Sequence, residues 1–110
     1  MDEILYELSY KASVSYPKNR IKVLLLENIH QDAVTIFEHE GYTVETLKGS
    51  LNEDELIEKI KGLSILGIRS KTNVTAKVLE HAKQLLAIAT FCIGTNQVDL
   101  TACSMKGISV

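Results

Sequence analysis

The sequence predicts an α/β protein built on an open, doubly wound parallel sheet. Three observations carry that reading. Short apolar runs of strand length recur along the chain. Stretches of helical periodicity separate them, most with a capping residue at the start. Each connection is long enough to hold a helix, so neighbouring strands must run parallel with right-handed crossovers.

The elements follow in order. Residues 21–26 are an apolar run bounded by polar residues, which reads as a buried strand. Residues 30–40 place Ala33, Val34, Ile36 and Phe37 at helical spacing, and Gly41 stands where a glycine ends a helix. Residues 42–47 alternate by two and are rich in β-formers, as in a half-buried edge strand. Lys48, Gly49 and Ser50 make the turn. Asn52 caps a second helix, and Glu53, Asp54 and Glu55 suit the positive end of its dipole. Leu56, Ile57 and Ile60 form its buried stripe and Gly62 its stop. Residues 64–69 are the third strand. Thr75 caps a third helix with Val78, Leu79 and Ala82 inward. Residues 85–91 are the fourth strand. Asp99 caps a fourth helix that ends at Gly107, and residues 108–110 open a fifth strand. The expected topology is flavodoxin-like, with strand order 2-1-3-4-5, truncated at the fifth strand. Residues 1–19 stand apart as a leader arm outside the core, read either as a floppy terminus or as an arm that packs on a neighbour.

Composition narrows the function. The 110 residues suffice for one small domain, and 45% hydrophobic content supports a core. A net charge of −2, from 12 basic and 14 acidic side chains, argues against a nucleic-acid partner. No stretch approaches the roughly 18 consecutive apolar residues of a membrane helix, and the start has no basic signal-peptide region. Two cysteines do not make a disulfide framework, so a cytoplasmic setting is expected.

In such sheets a ligand sits outside the carboxyl ends of the strands. Those ends hold Glu27 and Asn28, then Lys48, then Arg69, Ser70, Lys71 and Thr72, then Cys92, Ile93, Gly94 and Thr95. Arg69 stands out, because its planar fork can grip a carboxylate or phosphate through two hydrogen bonds. Its other reading is a surface arginine paired with an acid. Gly94 would let the amides of Ile93 and Gly94 form an anion nest, or it is a plain turn glycine. Lys48 and Lys71 add charge or are simply solvated. His30, His39 and His81 fall on helices or caps, none at a strand end. Cys92 and Cys103 lack metal-type spacing, and no metal site is expected. The six glycines never fall as Gly-x-Gly, so a dinucleotide fingerprint is missing. A phosphoacceptor receiver would need acids where Asn28 and Arg69 stand. A flavodoxin would need a phosphate loop where residues 27–30 stand.

Three segments, residues 24–31, 67–72 and 91–100, resemble the D-isomer-specific 2-hydroxyacid dehydrogenase family, in its branch acting on 3-phosphoglycerate. The run Cys92-Ile93-Gly94-Thr95-Asn96-Gln97-Val98-Asp99 is the most specific of them. The resemblance covers about residues 20–110 and implies a partial substrate-binding domain, with the dinucleotide-binding and regulatory domains absent. It implies NAD-dependent oxidation of 3-phosphoglycerate in serine biosynthesis, by a full-length enzyme expected to be a homo-oligomer. By the same resemblance Arg69 and Ser70 bind the substrate anion and Lys48 partners the phosphate. The amides of Ile93 and Gly94 face the substrate carboxylate, and Ile93 borders the nicotinamide. Lys71 stands where the family commonly has arginine, so a point charge replaces a fork. The family's catalytic arginine, glutamate and histidine match nothing here, so no catalytic residue is assigned and the 110-residue chain is expected to be inactive alone. The alternatives are a stand-alone small-anion-binding or regulatory module, and the non-functional remnant of a truncated gene.

Overall fold

A computed structural model of the protein describes residues 21–92 and 94–110. The expected leader arm and Ile93 lie outside the described residues. Among the described residues four strands alternate with four helices: β1 (Lys22–Leu25), α1 (Gln31–His39), β2 (Thr43–Thr46), α2 (Glu53–Ile60), β3 (Ile65–Ile68), α3 (Ala76–Glu80), β4 (Ala87–Thr90) and α4 (Leu100–Met105). All strand pairs are parallel and the order is β2-β1-β3-β4. This is the doubly wound α/β arrangement.

Side-chain alternation along the strands divides the core in two. Leu24 and Leu26 of the first strand segment, Leu66 and Ile68 of β3, and Ile88 of β4 pack with Leu56, Ile60, Val78, Leu79 and Cys103 from α2, α3 and α4. Val23, Leu25, Ile65 and Ala87 point the other way and pack with Val34 and Phe37 of α1. β3 is buried along its whole length, as a central parallel strand should be. Gly67 is its one residue without a side chain. A Cβ there would collide with the Leu25 side chain and lie 3.3 Å from both Ile29 and Phe91.

Caps fix the helix starts. Asn52 accepts from the Glu55 N–H at 2.9 Å, and Glu55 reaches back to the Asn52 N–H at 3.2 Å, a complete capping box. Thr75 and Asp99 cap α3 and α4 by accepting from the N–H groups of Val78 and Ala102, and the His30 ring accepts from the Asp32 N–H at 3.1 Å. Asn52→Ala is expected to cost about 1 kcal/mol, read as a shift in the urea midpoint. An unchanged midpoint would show that the box adds nothing.

One expectation is corrected. The fifth strand is not formed among the described residues: one parallel bridge, Ala87 to Ser109, stands in its place. Ser109 exchanges hydrogen bonds with Leu86 and Ile88 at 3.1 and 2.8 Å, but a single residue pair is a bridge and not a ladder. It does lie beside β4, the flank that the 2-1-3-4-5 order requires. α2 stops where Gly62 was expected to stop it: Lys61 closes the helix with right-handed backbone and Gly62 follows without a positive φ.

Candidate anion-binding site

The carboxyl ends of β1, β2 and β3 open onto a cleft of about 390 Å³ lined by Glu27, Lys48, Gly49, Ser50, Arg69, Ser70 and Lys71. Sheet topology alone brings these residues together. β1 lies between β2 and β3, so the turns after β2 and β3 flank the end of β1. A second cleft, of about 380 Å³, is lined by Asn28, Ile29, His30, Arg69 and Phe91. Arg69 belongs to both. The structure therefore gathers Lys48, Arg69, Ser70 and Lys71 at one place. Gly94 has the left-handed φ of +87° that its turn demands, yet it lines neither cleft.

The loop after β3 is held by its neighbours. Glu27 turns its carboxylate across the sheet end and accepts three backbone N–H groups. Arg69 N donates to Oε2 at 2.8 Å, Lys71 N to Oε1 at 2.8 Å and Thr72 N to Oε2 at 3.2 Å. Only 8% of Glu27 is exposed. Burial pushes its carboxyl pKa up, but the N–H groups of Lys71, Arg69 and Thr72 outweigh burial and hold it below the ordinary value of 4.5. On the other side, Gln97 donates from Nε2 to the Arg69 carbonyl at 2.9 Å and to Cys92 Sγ at 3.2 Å. The backbone of Arg69 is thus fixed at both its N–H and its C=O, while its guanidinium stays exposed.

Glu27 and Gln97 are the two residues whose part the sequence reading missed. Glu27 was legible as a strand end, but not as the acceptor for a loop more than forty residues away. The one local signal for Gln97 was an amide side chain in the turn between a strand end and the capping Asp99. As for the cysteines, Cys103 is a buried apolar residue, whereas Cys92 is half-buried and takes part in the loop's polar contacts.

Residues 23–110 match the sequence model of the family described as D-isomer specific 2-hydroxyacid dehydrogenase, catalytic domain, and the chain belongs to that family. It is 60% identical over 90 residues to D-3-phosphoglycerate dehydrogenase 1 of Saccharomyces cerevisiae, covering 82% of this chain and 19% of that protein. It is 55% identical over 98 residues to D-3-phosphoglycerate dehydrogenase of Dictyostelium discoideum, covering 89% and 24%. Against the Escherichia coli K12 protein of that name the figures are 46% over 100 residues, 90% and 24%. The chain thus spans about a quarter or less of the length of these curated relatives. Among solved structures it is similar to a protein of Pyrococcus horikoshii OT3, with a TM-score of 0.74, 26% identity, and coverage of 83% of this chain and 28% of that one. A D-lactate dehydrogenase from Aquifex aeolicus, complexed with NAD and lactic acid, shares the fold at TM-score 0.61 and 20% identity, over 80% of this chain and 27% of that one.

Proposed function

We propose that this chain is the substrate-binding segment, residues 20–110, of an NAD-dependent D-3-phosphoglycerate dehydrogenase, and that its cleft takes 3-phosphoglycerate. The observation that carries the reading is the convergence of Lys48, Arg69 and Lys71, with the Ser70 hydroxyl, on one opening at the strand ends. 3-Phosphoglycerate is anionic at both ends. A guanidinium can hold a carboxylate with two parallel hydrogen bonds, and two ammonium groups beside it suit a phosphate dianion. The names of the relatives, at 46–60% identity, support the same substrate. The reading carries with it a cytoplasmic, homo-oligomeric full-length enzyme.

NAD would supply the hydride acceptor. No Gly-x-Gly occurs in the sequence, so the described strand ends do not fit a dinucleotide pyrophosphate. What these residues do is bind and orient: the cations fix both ends of the substrate and leave the reacting hydroxyl between them. The 110-residue chain is therefore expected to bind without turnover.

Calorimetric titration of 3-phosphoglycerate into the 110-residue chain tests the reading. Saturable binding that weakens with added salt is expected. Arg69→Ala should weaken it about 10- to 100-fold, the worth of a charge-assisted pair, and Lys48→Ala or Lys71→Ala by less. Absence of saturable binding, or an Arg69→Ala variant that binds like the parent, would sink the assignment.

A further inference from the structure

An acid in an anion cleft is a contradiction to be explained. Glu27 lines the same opening as Lys48, Arg69 and Lys71, where its charge alone would repel a carboxylate or phosphate. Yet its oxygens are spent on the backbone N–H groups of Arg69, Lys71 and Thr72. Its own backbone is strained to put it there. Glu27 has φ +65° and Asn28 φ +55°, two consecutive left-handed residues, neither of them glycine. That conformation is unfavourable for residues with a Cβ and persists where the surroundings impose it. The surroundings here are the turn after β2: Glu27 N donates to Gly49 O at 3.0 Å and Asn28 N to Leu47 O at 3.1 Å. Lys48 lies between those two carbonyls. One residue therefore joins all three strand ends, by its main chain to the Lys48 turn and by its side chain to the Arg69–Thr72 loop.

We propose that Glu27 is a positioning residue for this site: its buried carboxylate serves as the template on which the loop 69–72 is wrapped, so that Arg69, Ser70 and Lys71 face the same opening as Lys48. It does not touch the ligand. The proposal rests on the reading of the cleft as an anion site, and the sign of its effect separates it from simple electrostatics. Glu27→Gln removes a negative charge, so electrostatics alone would tighten anion binding. A template role predicts the opposite, because an amide presents one acceptor oxygen where three N–H groups must be met.

The test uses the 110-residue chain with 3-phosphoglycerate as the probe, followed by calorimetry and by the amide signals of residues 69–72 in NMR. Glu27→Gln is expected to stay folded, to bind at least tenfold more weakly, and to shift the Arg69, Lys71 and Thr72 amides while leaving those of α2 and α3 in place. Glu27→Asp keeps the charge but withdraws it by one methylene, and it should weaken binding as well. Asn52→Ala, which lowers stability without touching the loop, should bind like the parent. A folded Glu27→Gln chain that binds as tightly as the parent or more so overturns the proposal. So do unmoved loop amides, and so does failure of both Glu27 variants to fold, which would make the carboxylate a requirement of the fold and not of the site. If the parent itself does not bind 3-phosphoglycerate, the functional reading fails. The loop amides still decide the template claim, shifted signals supporting it and unmoved ones ending it.

Discussion

Valine at position 67 is expected to lower the melting temperature by about 15–25 °C, a loss of about 3–4 kcal/mol at the upper end of what overpacking costs. The reason is local and geometric. Gly67 sits in the fully buried β3, paired with Leu25 on one side and Ala89 on the other. A Cβ built there meets the Leu25 side chain below any real contact distance and crowds Ile29 and Phe91. Leu25 is itself 1% exposed and cannot swing away without displacing the α1 side of the core. Alanine should cost about 2 kcal/mol, and valine more because its two methyls point into the same space. Gly62 is the internal control: nothing lies within 4 Å of its would-be Cβ and its φ is not positive, so Gly62→Ala should stay within about 0.5 kcal/mol of the parent. Thermal melts of the three variants decide it. Leu25→Val should also recover part of the Gly67→Ala loss, since the two positions are in contact. Strict additivity of that pair would show that the clash is not the cause.

Gly67 also marks what the sequence could and could not tell. Strand and helix alternation was legible because apolar runs and capping residues act within a few positions. Asn52, Thr75 and Asp99 cap the helices they were expected to cap. The order 2-1-3-4 followed from the parallel crossovers. By contrast, the burial of Gly67 against Leu25 depends on register across strands some forty residues apart, and no local pattern encodes it. The same holds at the cleft. Cations at strand ends could be named from the sequence, because the topology says where strand ends go. That Glu27 would leave ordinary backbone space and bind the loop after β3 could not be named. It arises from a left-handed pair fixed by the turn after β2, a contact made only when the sheet has assembled. The fifth strand was expected from residues 108–110, but a strand needs a run of paired residues and Ser109 supplies one.

Stability is expected to fall in acid more steeply for the parent than for Glu27→Gln. The folded protein holds the Glu27 carboxyl below 4.5, the value it regains on unfolding. The unfolded chain therefore binds the proton more readily than the folded one, and stability must rise with pH through that interval. Glu27 thus contributes its full stabilisation above about pH 4.5 and loses it as pH falls through the lowered folded value. A protonated glutamic acid and a glutamine have nearly the same shape and acceptor capacity. Urea denaturation at stepped pH should therefore show the parent ahead of Glu27→Gln by about 2–3 kcal/mol at neutral pH, the worth of hydrogen bonds to a charged group. The two curves should converge once the pH has fallen below the lowered folded value. The other carboxylates are common to both chains and cancel in the difference, so the difference curve belongs to Glu27. Parallel curves would mean that the three N–H groups do not depend on its charge. Convergence would show that the cleft is assembled by an ionised carboxylate, and the loop carrying Arg69 should then loosen before the rest of the sheet as the solution is acidified.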